Sequence, residues 1–578
     1  MPVQATPTFP RSPRTALARR AVAVASSFAL LVLLAGCGSS HSTGTTLDPA
    51  TLVPASAPLY AGADVRPAGS ERAGALAAGS QITHQADPYA RLVAVLQTPG
   101  SPALQYARDV APWLGPRAGI FLTSEAGAEA LLPLIEQGLL GSGSGAAFPF
   151  ANGKTDGAVV LDTSDLAKAR SFVEGQAAHA GAQHASYRGV SYERSSGGVA
   201  FAIVKRFAVL GSEAGVRAVI DTAAGGPSLR AEPGYARLAA AAPAGALAHL
   251  FTNPAAGGAT ASQVASSPLA LLAGAREANI SILARSGAVD IYADTRSSAA
   301  SGSPGGLLTS GVEGGRTLDQ LPGGSWLALG LGNLGHTLGA DVAGLRGLVG
   351  LVSGGPEAAG SSAISLGSLV EGLLTPLAVI GSESAQARAA FTSWMGSGGV
   401  FAGGASVFEL KGAIVIESRS PAKSRAAVGA LAAALARAGD SSKPLSIPGT
   451  DAAVEAHIKG LPVSLDIADG RDASGGTLFV LGLGEASVTE ALHPSSTMVS
   501  SASRSAAAGT LGEGIAPSLI FEVPALLGLL EGVGLTEDPT FKQLAPFAKT
   551  ITTVTGGGHP LGGEVERYKL SIALRGGG

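Results

Sequence analysis

The chain has 578 residues, 39 of them Lys or Arg against 42 Asp or Glu, and only 14% of its side chains are charged. A net charge of −3 excludes the basic excess that a dominant nucleic-acid surface needs, and it gives no support to a polybasic membrane patch. One cysteine among 578 residues excludes an internal disulfide and a thiolate metal cluster. The mean hydropathy of +0.32 leaves enough apolar sequence for large cores.

Residues 11–20 carry Arg11, Arg14, Arg19 and Arg20 and no acid, and residues 21–35 are almost entirely apolar or small. A basic stretch, a short apolar core and then small residues make a secretory signal. The run is too short for a comfortable membrane span, which needs roughly 20 apolar residues. Leu33-Leu34-Ala35-Gly36-Cys37 closes it.

Ala35 and Gly36 directly before Cys37 resemble the lipobox of bacterial lipoproteins. That resemblance implies cleavage after Gly36 and a diacylglyceride on the Cys37 thiol. It also accounts for an odd cysteine in an exported chain. The expected organisation begins with a signal peptide at 1–36 and a small-residue, flexible tether at 37–54. Without the leader the balance is 35 basic to 42 acidic side chains, a net charge of −7.

Folded sequence is expected from Pro54. Residues 57–67 read as a strand leaving a proline turn, 88–96 and 103–111 as helices, and 113–122 as a turn into a strand. The lipoprotein signal, Val53-Pro54-Ala55 with Ala57-Pro58-Leu59-Tyr60, and Trp113-Leu114-Gly115-Pro116-Arg117-Ala118-Gly119 together resemble a family of uncharacterised bacterial lipoproteins, a domain of unknown function (DUF3352-like). The resemblance brings no reaction and no catalytic residues.

Further strands are predicted at 157–161, 187–194, 247–252 and 280–295, a strand or a hairpin pair at 199–210, and helices at 166–180 and 213–223. The Ser, Gly and Ala run at 298–317 reads as a surface linker. After it the pattern starts over. Gly157 to Val173 aligns with Gly412 to Val428 without a gap, with 7 of the 17 positions identical. Trp113-Leu114-Gly115 matches Trp394-Met395-Gly396, Val209-Leu210-Gly211 matches Val480-Leu481-Gly482, and Phe251 to Pro254 matches Phe521 to Pro524, all in the same order. The expected fold class is α+β: two related halves, 55–297 and 318–578, of mostly antiparallel sheet with helices packed on one face. The first half carries an additional segment near 125–153.

Catalytic and metal-binding constellations are absent from the local sequence. Gly330-Leu331-Gly332-Asn333-Leu334-Gly335 matches a dinucleotide fingerprint in form, but no acid suited to a ribose follows it. Gly153-Lys154-Thr155 lacks the earlier glycine of a phosphate loop, since Phe148 stands there. His179 and His184 are five apart, which does not align two ligands on one helix face. No nucleophile elbow is present. Asp162 and Glu417 end matching strands and are expected to serve turns and caps, and Trp113 and Trp394 to anchor cores. Leu-rich stretches at 131–140, 369–380 and 525–535 read as buried helices or as the lining of an apolar cavity.

No catalytic residue, metal or cofactor is therefore assigned, and the one modified residue is Cys37. The expected protein is non-enzymatic, anchored to the membrane by its N-terminal lipid outside the cytoplasm, and binds an envelope partner but no nucleic acid. The alternative is a carrier of lipid or another amphiphile, with an apolar ligand in a cavity.

Overall fold

The computed structural model describes residues 48–83, 93, 96–97, 101–124, 148–151, 155–253, 275–297, 311–335, 385–458, 463–532, 536, 539–562 and 564–575. The leader expected at 1–36, Cys37, most of the helix expected at 88–96 and the Leu-rich stretches 131–140 and 369–380 lie outside them.

The first half contributes β1 (Leu59–Asp64), β2 (Leu114–Leu122), β3 (Gly157–Thr163), β4 (Gln183–Tyr187), β5 (Val190–Arg194), β6 (Val199–Val204), β7 (Phe207–Ser212), β8 (Ala248–Thr252), β9 (Ala275–Arg285) and β10 (Ala288–Ser297). Its helices are α1 (Gly69–Thr83), α2 (Leu166–His179), α3 (Glu213–Ala223) and α4 (Pro233–Ala241), with a π-helical turn at Tyr106–Val110. The second half contributes β11 (Ser325–Leu331), β12 (Met395–Gly403), β13 (Lys411–Ser418), β14 (Ser441–Pro444), β15 (Thr450–His457), β16 (Leu465–Arg471), β17 (Thr477–Leu483), β18 (Ala516–Glu522), β19 (Ile551–Gly562) and β20 (Val565–Leu574). Its helices are α5 (Gly311–Gln320), α6 (Ala385–Thr392), α7 (Pro421–Arg437), α8 (Glu485–Leu492), α9 (Ala502–Leu511), α10 (Val523–Gly532) and α11 (Pro539–Ala548).

All 20 strands among the described residues belong to one sheet, and every pairing between them is antiparallel. In the first half the spatial order is β4-β5-β6-β7-β3-β2-β1-β8-β9-β10. In the second it is β14-β15-β16-β17-β13-β12-β11-β18-β19-β20. The two series have the same order, strand for strand, and they meet where β10 pairs with β20. In that pair Ala288 lies opposite Ala573 and Arg296 opposite Val565, so the register is centred on Tyr292 and Lys569. Both strands start directly after a left-handed residue, Gly287 (φ 78°) and Glu564 (φ 68°).

Helices cover both faces of the sheet, which corrects the expected single covered face. Along β3, Val159 and Leu161 pack with Ala169 and Val173 of α2, whereas Ala158 and Val160 pack with Val216 and Ile220 of α3. The second half repeats this, with α7 behind Ile414 and Ile416 and α8 behind Ala413 and Val415. The cause lies in β3 and β13, whose apolar runs are continuous rather than alternating, as strands buried on both faces require. Gly215 in α3 permits the close packing, since a Cβ there would collide with the backbone of Gly157.

Helix α2 starts at Asp165, whose carboxylate accepts from the N–H groups of Ala167 and Lys168, and α3 starts at Ser212, whose hydroxyl accepts from Gly215. The strand expected over 187–194 is instead a hairpin. Arg188 (φ 47°) and Gly189 (φ 78°) make a two-residue left-handed turn between β4 and β5. The linker expected at 298–317 ends early, because residues 311–317 form the start of α5, which Leu318 locks into the core at 0% exposure. The end of the expected tether is also folded. Pro49–Thr51 is a 3-10 turn, and Ala50, Leu52 and Val53 are buried.

Candidate functional site

The alternation along the two central strands sorts their side chains onto two faces. Val289, Ile291 and Ala293 of β10 and Tyr568 and Leu574 of β20 join the apolar core. The opposite face carries Asp290, Tyr292, Asp294 and Arg296 from β10 and Arg567, Lys569 and Ser571 from β20. The flanking strand β9 adds Glu277, Asn279 and Ser281 to it. This face is polar and yet buried: Asp290 is 1% exposed, Asp294 0%, Glu277 3% and Lys569 6%.

Each buried charge is matched. The Arg567 guanidinium donates two bonds to Asp294, Nε to Oδ1 at 2.7 Å and Nη2 to Oδ2 at 2.8 Å. The Ser571 hydroxyl donates to Asp290 Oδ1 at 2.7 Å, Lys569 Nζ stands 3.8 Å from Asp290 Oδ2, and Arg285 pairs with the same carboxylate from the strand end. Arg296 donates to Glu277 at 2.7 Å and reaches Glu564 at 3.4 Å. The cations also hold helix ends, where carbonyls lack intrahelical donors. Arg567 donates to the Ala241 carbonyl at the end of α4, and Lys569 donates to the Thr510 and Leu511 carbonyls at the end of α9, both at 3.0 Å. The Tyr292 ring lies 5.3 Å from the Arg567 guanidinium and 5.7 Å from the Lys569 ammonium.

Burial pushes the Asp294 carboxyl above its ordinary value, and Arg567 opposes the shift. It pushes Lys569 down, with the Asp290 charge pulling the other way. Such a site fastens strands and helices together, and its charges are already satisfied from within the chain. An open cleft of about 600 Å³ lies beside it, lined by Arg237, Ala241, Leu561, Gly562, Glu564 and Val565.

A second fastening holds the start of the described chain. Asp48 Oδ1 accepts from the Ala50 N–H at 3.0 Å, and Oδ2 accepts from Arg230 at 2.7 Å with Arg117 at 3.8 Å. Pro54 bridges to Ser228, and Leu229 donates to the Val53 carbonyl at 2.7 Å. Behind this clamp the rings of Tyr60, Tyr235 and His249 meet in edge-on and tilted contacts, with the Tyr235 hydroxyl 3.2 Å from His249 Nε2. Burial lowers the His249 pKa.

The residues singled out in the sequence serve structure where they are described. Asp162 and Glu417 do occupy matching places, opposite Phe207 and Leu478. Neither caps a helix. Asp162 is fully buried against Arg206 at 3.1 Å, while Glu417 is half-buried. Trp113 and Trp394 are 2% and 1% exposed, and their rings meet those of Phe172 and Phe479 in tilted contacts at 4.9 and 5.0 Å between centroids. His179 binds the Gly175 carbonyl and His184 pairs with Glu193, so the two act separately. Gly330 is where α5 crosses β11, since a Cβ there would collide with the Gly314 carbonyl. Gly153 and Lys154 lie outside the described residues. Of the Leu-rich stretches only 525–532 is described, in α10, with Leu526, Leu527 and Leu529 buried.

Among the described residues no group of three or more His, Cys, Asp or Glu side chains is placed to hold a metal. No helix among them is long and apolar enough to cross a membrane. The buried ion set was missed in the sequence, where its acids and bases stand roughly 270 residues apart.

The family described as "Protein of unknown function (DUF3352)" matches residues 17–343. No curated protein matches the chain. Among solved structures, crystal form I of TP0453 is 9% identical with a TM-score of 0.24, over 44% of this chain and 81% of that one. Crystal form III of TP0453 is 11% identical with a TM-score of 0.25, over 44% and 82%. At those scores the likeness carries no structural argument.

Proposed function

We propose that this chain, which belongs to the DUF3352 family of proteins of unknown function, is a lipid-anchored envelope protein. Its two equivalent lobes form a non-enzymatic platform for binding or support outside the cytoplasm. Duplication of one α+β unit is supported by the matching strand orders and by the self-consistent register of β10 on β20. The strand pairings also refine the alignment. Phe251 lies opposite Tyr60 and Ile520 opposite Ala328, and Tyr60 and Ala328 in turn face Phe121 and Phe401. Phe251 therefore corresponds to Ile520, one residue from the match drawn in the sequence.

The observation that supports the anchoring is the Leu33-Leu34-Ala35-Gly36-Cys37 sequence after a basic and apolar leader, and the Asp48 clamp sets its reach. The chain is pinned to the first lobe roughly eleven residues after the acceptor thiol, a contour of at most about 40 Å. Lipid on Cys37 would keep the first lobe within that distance of the bilayer surface. Two or more acyl chains, at about 0.8 kcal/mol per buried CH₂, suffice for stable attachment.

Mass spectrometry of protein taken from its native envelope tests this. The expected mature chain begins at Cys37 and carries acyl mass, and C37S moves the protein from the membrane fraction to the soluble one. A retained leader with a free Cys37 thiol would overturn the reading.

A further inference from the structure

We propose that the β10–β20 seam is a charge-coded interface that accepts the unlike lobe and rejects a like one. The inference rests on the geometry of the seam and is independent of the lipid anchor.

The two central strands occupy equivalent places about one centre, so either could in principle pair with its own counterpart in a second copy of the chain. The register then fixes which side chains would face each other. Two β10 strands paired about Tyr292 would set Asp290 opposite Asp294, twice. These carboxylates are 1% and 0% exposed in the observed pairing, and the like pairing removes Arg567 from Asp294 and Ser571 and Lys569 from Asp290, which keeps only Arg285 of its own lobe. Two β20 strands paired about Lys569 would set Lys569 against Lys569 and Arg567 against Ser571. The polar-face positions Val565, Arg567, Lys569, Ser571 and Ala573 include no acid. Only the unlike pairing brings Asp294 to Arg567 and Asp290 to Ser571 and Lys569.

A buried charge without its partner is strongly penalised, whereas a matched bidentate pair is tolerated. The opposite face discriminates less, because Val289, Ile291 and Ala293 meet Ile572, Leu570 and Tyr568 in the observed pairing and would meet Thr295, Ala293 and Ile291 in a like one, with no ion pair gained or lost among them. Partner choice is thereby assigned to the four side chains Asp290, Asp294, Arg567 and Lys569. Association between copies through these strands is confined to reciprocal exchange of lobes.

The test uses the full chain with a protease site inserted between residues 298 and 310, cleaved after folding. The two fragments are expected to stay together under native conditions. D294R or R567D alone should weaken their association about a hundredfold or more, and D294R with R567D should restore most of it. A double variant no better than either single one, or single variants that associate as tightly as the parent, would overturn the proposal. A second measurement avoids substitution. Two cleaved populations with different tags on the first lobe are mixed under conditions that allow exchange. Complexes holding one first lobe and one second lobe are expected, and recovery of both tags in one complex would overturn the proposal.

Discussion

R567A is expected to destabilise the protein by about 3–5 kcal/mol, the usual consequence of leaving a buried carboxylate without its cation. Asp294 is fully buried, and the Arg567 guanidinium is its bidentate partner. The same substitution strips the end of α4 of its donor to the Ala241 carbonyl. Denaturant unfolding of both proteins at neutral pH measures the loss. Replacing the pair together, as D294L with R567M, is expected to recover most of it, because the cost lies in the stranded charge rather than in the absence of an ion pair. A loss under about 1 kcal/mol for R567A would mean that water reaches Asp294.

D466A is expected to have the opposite sign and to stabilise the second lobe at neutral pH. Asp466 on β16 is 2% exposed, and its Oδ1 has no hydrogen-bond partner among the described residues. Burial, helped by the charges of Glu455 and Glu485, pushes its carboxyl up to about 6. The folded state therefore holds this proton more tightly than the unfolded chain does. Its stabilising contribution is complete below the ordinary carboxylate value and is lost as pH rises through about 6. Above that pH the wild type buries a charge that His457 and Lys443 only partly offset, and removing it should gain about 3 kcal/mol. The first lobe shows what fits there. Ala200 faces Gly211 as Asp466 faces Gly482, so alanine is the residue that the equivalent strand already carries. Unfolding free energies of wild type and D466A between pH 4 and 8 check this. The difference should grow from pH 4 to about 6 and level off above it, and a difference constant over the whole range would contradict the assignment.

The sequence discloses those elements whose burial is periodic or continuous. Helix α3 was legible over its whole length because Val216, Val219 and Ile220 fall on one face after a Ser cap. Strand β3 was legible as an unbroken apolar run. Helix α1, GSERAGALAAGSQIT, gives no such contrast, since small residues surround its few larger ones. The same holds for α4 and α9, both built largely of Ala. The hairpin of β4 and β5 was hidden because Arg188 and Gly189 interrupt neither the length nor the alternation of the run. The likeness of the two halves was visible through residues at matching strand positions, Trp113 with Trp394 directly before β2 and β12, and Gly211 with Gly482 in β7 and β17.

The seam could not be found that way. Asp290, Tyr292, Asp294 and Arg296 alternate with apolar residues as they would on a strand with one face in water. What buries them is β20 with α4 and α9, and no local pattern reports a partner strand so far along the chain. The covered second face has the same origin. Helix α3 gave an amphipathic signal, but nothing in it states which side of the sheet it takes.

The joining of the two lobes into one sheet is tested most directly by a cross-link through the seam. Ala288 and Ala573 lie opposite each other in the β10–β20 register, where facing Cα atoms are about 4.5–5.5 Å apart, within disulfide range. In a C37S background, A288C with A573C should form a reducible intrachain bond that speeds migration on a non-reducing gel. Two free thiols in the folded, oxidised protein would contradict the pairing on which the twin-lobed account stands.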